Sequence, residues 1–159
     1  MIRIGILGEI GSGKSYVASN FGYPVFDADH EVSKIYKRDK KLFYKLNKKL
    51  PKNIYSFPID KKQISDAILK KKSNLKIIIK IVHKEIRKKF KLFLNKNKNK
   101  KIIIMDIPLL LENKINNKTD ILIFVESKKF DIDKRLKKRK NFNKKLLDEF
   151  KKIQFKVGY

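Results

Sequence analysis

Eight residues near the amino end constrain this chain more than any other feature. Gly8-Glu9-Ile10-Gly11-Ser12-Gly13-Lys14-Ser15 matches G-x-x-x-x-G-K-[ST] at every position. The run follows the apolar segment Arg3–Leu7 directly and opens Lys14–Phe21, which reads as a helix, so the order is strand, loop, helix. Glycines let such a loop curl so that successive N–H groups face inward, and the helix N-terminus adds partial positive charge to that anion cradle. Lys14 then reaches the outer phosphates of a nucleoside triphosphate, and the Ser15 hydroxyl becomes a Mg²⁺ ligand. Gly8, Ile10, Gly11, Ser12, Gly13, Lys14, Ser15 and Tyr16 are the expected nucleotide contacts. A dinucleotide fingerprint fits worse, because counting it from Gly11 and Gly13 demands glycine at Tyr16.

The surrounding pattern is that of an α/β protein. Pro24–Asp27 reads as a second, very short strand. Ile102–Asp106 and Asp120–Val125 are continuous apolar runs rich in β-branched residues, as expected of strands buried on both faces of a parallel sheet. Four strands separated by helical segments make a P-loop three-layer αβα arrangement. Asp60–Leu94 places apolar residues mostly three or four apart, at Ile64, Ile68, Ile78, Val82, Ile86 and Phe90 among others, and predicts helices with lysine-covered outer faces. The tract from Asn95 to Lys101 reads as a solvated turn, and there is no internal repeat. At 159 residues the length suits one domain. Its core is expected from 1–36 and 102–127, with a helical region at 37–101 and a further basic region at 128–159.

Charge is strongly unbalanced: 42 Lys and Arg face 16 Asp and Glu, a formal +26. Such an excess raises nucleic acid or an anionic surface as a partner. The competing explanation is compositional. Of the basic residues 37 are Lys and five are Arg, beside 23 Ile and 12 Asn, the mixture that an A- and T-rich coding sequence produces. The distribution is uneven as well: residues 1–36 and 102–127 carry net −1 and −2, whereas 37–101 and 128–159 carry +20 and +9. Desolvating an ammonium is costly, so the lysine-poor stretches suit a core and the lysine-rich ones its basic attachments. The chain has no cysteine, which excludes a disulfide framework, a thiolate zinc site and a cysteine nucleophile and fits a cytoplasmic protein. Apolar runs such as Ile102–Met105 fall far below the roughly 18 residues of a membrane span. The first residues do not read as a secretory signal. Nothing in the pattern decides an oligomeric state.

Chemistry beyond the loop rests on a few side chains. Asp106 ends the third strand, where a carboxylate helps to hold Mg²⁺ directly or through water, although an Asp there is also an ordinary turn residue. Asp27-Ala28-Asp29 follows the second strand. A carboxylate there can accept a proton from an acceptor hydroxyl, or the pair can serve as a polar turn capping a helix at Glu31–Tyr36. Arg135 and Arg139 lie four apart on a helix expected over Asp131–Arg139, opposite a stripe with Ile132 and Leu136. They suit phosphoryl oxygens, and a solvated arginine pair is the alternative.

Taken together, residues 4–15, Phe-Asp-Ala-Asp at 26–29, Ile-Val-His-Lys-Glu-Ile-Arg at 81–87, Asp-Ile-Pro-Leu-Leu-Leu-Glu at 106–112, and Arg-Leu-Lys-Lys-Arg at 135–139 followed by Gln154 resemble the dephospho-coenzyme A kinase family. The likeness runs over residues 2–154 in order. It implies transfer of the γ-phosphoryl group of ATP to the ribose 3′-hydroxyl of dephospho-coenzyme A, with Mg²⁺ accompanying ATP. It also implies that Asp29 is the base, that Asp27, His83, Arg87, Pro108, Leu109 and Glu112 border the acceptor, and that Arg135 and Arg139 belong to a helical lid over ATP. Without it, His83 reads as a helix histidine facing the interior. Other readings are a different P-loop nucleoside or nucleotide kinase, or a non-catalytic nucleic-acid binder. The latter lacks the interleaved aromatics of single-strand binders.

Glu9, Lys84 and Lys140 depart from the family pattern, which usually has a small residue, a proline and an acidic residue there. After Gln154 the sequence runs Phe-Lys-Val-Gly-Tyr. The family continues through a fifth strand, an Asn-containing loop that contacts adenine and a closing helix, so a shortened chain of impaired activity is the expectation.

Overall fold

The computed structural model describes residues 1–108, 115–139 and 142–154. In chain order the elements are β1 (Ile2–Leu7), α1 (Lys14–Ser19), β2 (Val25–Asp27), α2 (Ala28–Arg38), α3 (Lys40–Lys49), α4 (Lys61–Lys70), α5 (Ser73–Lys96), β3 (Ile102–Asp106), β4 (Ile121–Phe124), α6 (Lys129–Lys137) and α7 (Lys144–Ile153). They form two compact units, residues 1–28 with 92–159, and residues 29–91.

The first unit is built on a parallel sheet of order β2-β3-β1-β4, as the alternation of strand and helix predicts. β1 lies between two neighbours, pairing Ile4 with Ile104 on one side and with Ile121 on the other. Central placement explains its run of apolar residues: Ile4 and Ile6 are buried with Ile104 and with Ala18 of α1. A methyl group at Ala18 lets α1 lie close on the sheet, which brings the loop before it to the ends of β1 and β3. β4 differs from the sequence expectation. Its place at the sheet edge leaves Ile121 and Leu122 exposed and Ile123 and Phe124 half-buried, so this apolar run is not covered on both faces.

The approach to β4 is tied by charge. On β1, Arg3 Nη2 donates to Asp120 Oδ2 at 2.9 Å and to the Ile115 carbonyl at 3.1 Å, while the Asn117 N–H donates to the same Asp120 oxygen at 2.8 Å. The Asp120 side chain is 1% exposed, and a buried pair of this kind costs about 3–5 kcal/mol when only one partner is removed.

The second unit is helical. Asp39 and Asp60 cap α3 and α4, accepting from the Leu42 and Lys62 amides at 2.9 and 2.8 Å. Leu42 and Leu46 of α3, Ile64 and Ile68 of α4, and Ile78, Val82 and Ile86 of α5 are buried, which is the three-and-four spacing expected of Asp60–Leu94. The helices there break at Lys71 and Lys72, where Asn74 Nδ2 bonds the Ala67 carbonyl at 2.8 Å. Burial pushes the Tyr36 phenol well above its ordinary value. Among the described residues no helix is long and apolar enough to cross a membrane.

Glu85 pins α5 to α3, accepting from Lys45 at 2.8 Å and from Lys88 of its own helix at 2.9 Å. The Lys45 hydrogen bond, then that of Lys88, holds the Glu85 carboxyl below its ordinary value. A carboxyl whose native pKa is depressed adds stability that is complete above its unfolded value, about 4.3, and is lost as pH falls through the lower native one. Glu85→Gln should therefore be less stable than the wild type at pH 7 by up to about 1 kcal/mol, both lysine partners being exposed although Glu85 itself is buried. In urea denaturation over a pH series that gap closes on acidification; a gap unchanged down to pH 2 contradicts this origin.

Candidate active site

Positive φ at Gly8, Gly11 and Gly13 (142°, 93° and 99°) curls the loop between β1 and α1. Two of these glycines are required for a further reason, close approach. A Cβ on Gly8 would overlap the Val125 carbonyl oxygen, and one on Gly11 would lie 3.0 Å from Leu136 Cγ and 3.1 Å from Ile132 Cγ2. The buried stripe of α6 thus supports the loop from behind. α1 runs for six residues, shorter than the helix expected to Phe21, so the cradle's positive potential comes chiefly from loop amides and Lys14 rather than from a long helix dipole.

Lys14 is buried, and its Nζ donates to the Gly8 and Glu9 carbonyls at 2.8 and 2.7 Å. Ser12 is also buried, with its hydroxyl lacking a hydrogen-bond partner among the described residues. Ile10 lies half-buried in the loop, and Glu9 and Tyr16 are exposed.

Parallel pairing of β2 with β3 sets Asp27 beside Asp106 at the sheet's carboxyl edge. Burial pushes the Asp106 carboxyl above its ordinary value, and the Asp27 charge adds to this; a hydrogen bond from Ser15 and the Lys14 ammonium oppose it. Lys14, Ser15 and Asp106 therefore lie close together. Two carboxylates and a hydroxyl offer the hard oxygen donors that suit Mg²⁺. Among the described residues no three His, Cys, Asp or Glu side chains gather as a protein-only metal site, and Mg²⁺ commonly completes its shell with substrate phosphates and water.

Arg135 lies against the same loop. Its Nη1 donates to the Gly11 carbonyl at 3.3 Å, to the Ser12 carbonyl at 3.1 Å and to Ser127 Oγ at 3.1 Å. Residues 132 and 135 are one turn apart on α6, so Arg135 flanks the Ile132–Leu136 stripe rather than opposing it. α6 ends at Lys137, which leaves Arg139 outside the helix in a following turn, its N–H on the Leu136 carbonyl at 3.1 Å. α2 begins at Ala28, so Asp29 is the exposed second residue of that helix and not a turn residue before Glu31. In the second unit His83 is half-buried and Arg87 exposed, one turn apart on α5. Pro108 follows β3 and is half-buried, whereas Leu109, Glu112 and Lys140 lie outside the described residues.

Two further loop contacts have no local signature in the sequence. Ser127 Oγ donates to the Ser12 carbonyl at 2.7 Å, and Gln154 Nε2 to the Gly8 carbonyl at 2.9 Å. Gln154 is visible from the family likeness alone, and Ser127 from nothing beyond its place after a strand.

Comparison with known proteins decides what class of enzyme carries this loop. The family model described as dephospho-CoA kinase matches residues 2–156. The chain belongs to the dephospho-CoA kinase family. Proteins named dephospho-CoA kinase from Wolbachia sp. subsp. Brugia malayi (strain TRS) and Wolbachia pipientis wMel are 35% and 33% identical to it, each over 97% of this chain and 81% of the relative. The crystal structure of TT1252 from Thermus thermophilus is similar with a TM-score of 0.71 at 25% identity, over 97% of this chain and 80% of that one. As a member of this family the protein is a kinase, a nucleotide-binding phosphotransferase of coenzyme A biosynthesis, and ATP and dephospho-CoA are the substrates that membership implies.

Gly11→Ala combines strain at positive φ with the Leu136 contact, together about 1–3 kcal/mol. Lower thermal stability and weaker ATP binding are expected. Adding Leu136→Ala relieves the contact and not the backbone strain, so ATP affinity stays below wild type; wild-type affinity in Gly11→Ala contradicts this reading of the loop.

Proposed function

We propose that the protein transfers the γ-phosphoryl group of ATP to the 3′-hydroxyl of dephospho-CoA, releasing CoA and ADP. The observation that carries this reading is the buried Lys14 ammonium in the glycine loop, beside a Ser15 hydroxyl bonded to strand-end Asp106. Loop amides and Lys14 bind the β- and γ-phosphates and fix the phosphoryl group for in-line attack. The unpartnered Ser12 hydroxyl fits the same role, since a phosphate oxygen would satisfy it.

In this proposal Asp29 takes the proton as the 3′-hydroxyl oxygen forms its bond to γ-phosphorus and the bond to the β,γ-bridging oxygen breaks, with ADP leaving. Its exposure on the first turn of α2 supports this assignment. Asp27, His83, Arg87, Pro108, Leu109 and Glu112 are assigned to dephospho-CoA, and Arg135 and Arg139 to ATP. A guanidinium at Arg139 would neutralise charge on the transferring group, and closure over ATP would exclude water, the competing acceptor. Ser15 and Asp106, with Asp27 adjacent, would hold Mg²⁺, which when bound supplies charge neutralisation between the β- and γ-phosphates.

Coupled measurement of ADP release in the presence and absence of dephospho-CoA tests the reaction. Turnover should require the acceptor; ATP hydrolysis indifferent to it contradicts the proposal. Asp29→Asn should lower kcat by about 10²–10⁴ while ATP affinity stays near wild type. Asp106→Asn should raise the Mg²⁺ concentration needed for half-maximal rate, an effect a purely structural Asp106 would not produce.

A further inference from the structure

We propose that Ser127 and Gln154 are positioning residues that, with Arg135 sharing one of the carbonyls, keep the carbonyl groups of the phosphate loop turned away from the triphosphate. This rests on the reading of the loop as the ATP phosphate site.

The peptide unit is planar and trans, so the carbonyl of one residue and the N–H of the next point in opposite directions. Whatever holds a loop carbonyl also aims an amide. The Ser12–Gly13 unit is the most exposed to error. The unit turns about ψ of Ser12 and φ of Gly13, and the glycine, at φ 99°, permits rotation at low steric cost, while an inward carbonyl would set its negative end against phosphate oxygens. Two donors from outside the loop bind that carbonyl, Ser127 Oγ at 2.7 Å and Arg135 Nη1 at 3.1 Å. They are joined to each other, since Arg135 Nη1 also donates to Ser127 Oγ at 3.1 Å. The Gly13 N–H is directed the opposite way as a result.

The other end of the loop repeats the device. Gly8, with φ 142°, has its carbonyl bound by Lys14 Nζ at 2.8 Å and by Gln154 Nε2 at 2.9 Å. The Lys14 bond comes from a group whose proposed task is to grip phosphate, so the Gln154 bond is the one available to hold Gly8 when Lys14 turns to the nucleotide. Each loop end is thus held from outside, one by Arg135 of α6 and Ser127 of the segment entering it, the other by the residue after α7. Ser127 and Gln154 influence the phosphates through the backbone, without touching them.

The test uses the full chain and ATP, with Lys14→Ala as the control for the loop reading. Ser127→Ala and Gln154→Ala should each raise the KM and Kd for ATP about five- to tenfold, the effect of one net hydrogen bond, with the KM for dephospho-CoA unchanged. Ser127→Thr keeps the hydroxyl and should restore ATP affinity. Hydrogen exchange on the nucleotide-free protein gives a readout that does not depend on turnover: the Gly13 amide should be altered in Ser127→Ala while amides of β1 and β3 keep wild-type protection. Wild-type ATP affinity in Ser127→Ala, failure of Ser127→Thr to restore it, or equal losses for both substrates would overturn the proposal. If Lys14→Ala binds ATP as the wild type does, the loop reading itself fails, whatever the Ser127 variants show.

Discussion

A lysine ammonium buried within the turn of its own loop is the interaction on which the rest of this molecule depends. Burial of a cation is unfavourable unless its donors are satisfied, and here the Gly8 and Glu9 carbonyls accept two of its three N–H groups. That requirement pulls the loop into a closed curl, which three left-handed glycines permit and which Ile132 and Leu136 of α6 fill from behind. Parallel pairing then does the remaining work of assembly. It sets β1 between β3 and β4, so the loop at the end of β1 meets the carboxylates that end β2 and β3.

The electrostatics of that edge follow from one arrangement. Cationic and N–H groups come from the loop, anionic groups from neighbouring strand ends, and the Ser15 hydroxyl joins the two through Asp106. Burial raises Asp106 where solvent would have left it an ordinary carboxyl. Such a carboxyl beside a second one favours a bound cation, which is the environment a metal-accompanied triphosphate needs. The basic residues of 37–101, in contrast, stay exposed, and of them Lys45 and Lys88 are the ones bonded to Glu85.

Much of this was legible in the residues themselves. The glycine loop, the strand at Ile102–Asp106 and the three-and-four spacing of Asp60–Leu94 each carry a local signal strong enough to survive tertiary context. α3 carried one as well, an Asp39 cap with Leu42 and Leu46 four apart, but a background of lysines obscured it. Edge placement of β4 was not legible, because an apolar run reads alike at the centre and at the border of a sheet. Helix ends were misplaced for a similar reason: Arg139 and Asp29 sit within one turn of a boundary, where propensity decides little. Arg3 with Asp120, and Ser127 and Gln154 on the loop carbonyls, are pairings more than 100 residues apart in sequence, which no local pattern announces.

Calorimetric titration of the wild type and of Lys14→Ala with ATP, ADP and adenosine bears most directly on the phosphate loop as the seat of function. Affinity should fall in the order ATP, ADP, adenosine, and Lys14→Ala should weaken ATP roughly 10- to 150-fold, the range for a hydrogen bond to a charged group. Adenosine binding as tightly as ATP, or undiminished ATP binding by Lys14→Ala, would contradict it.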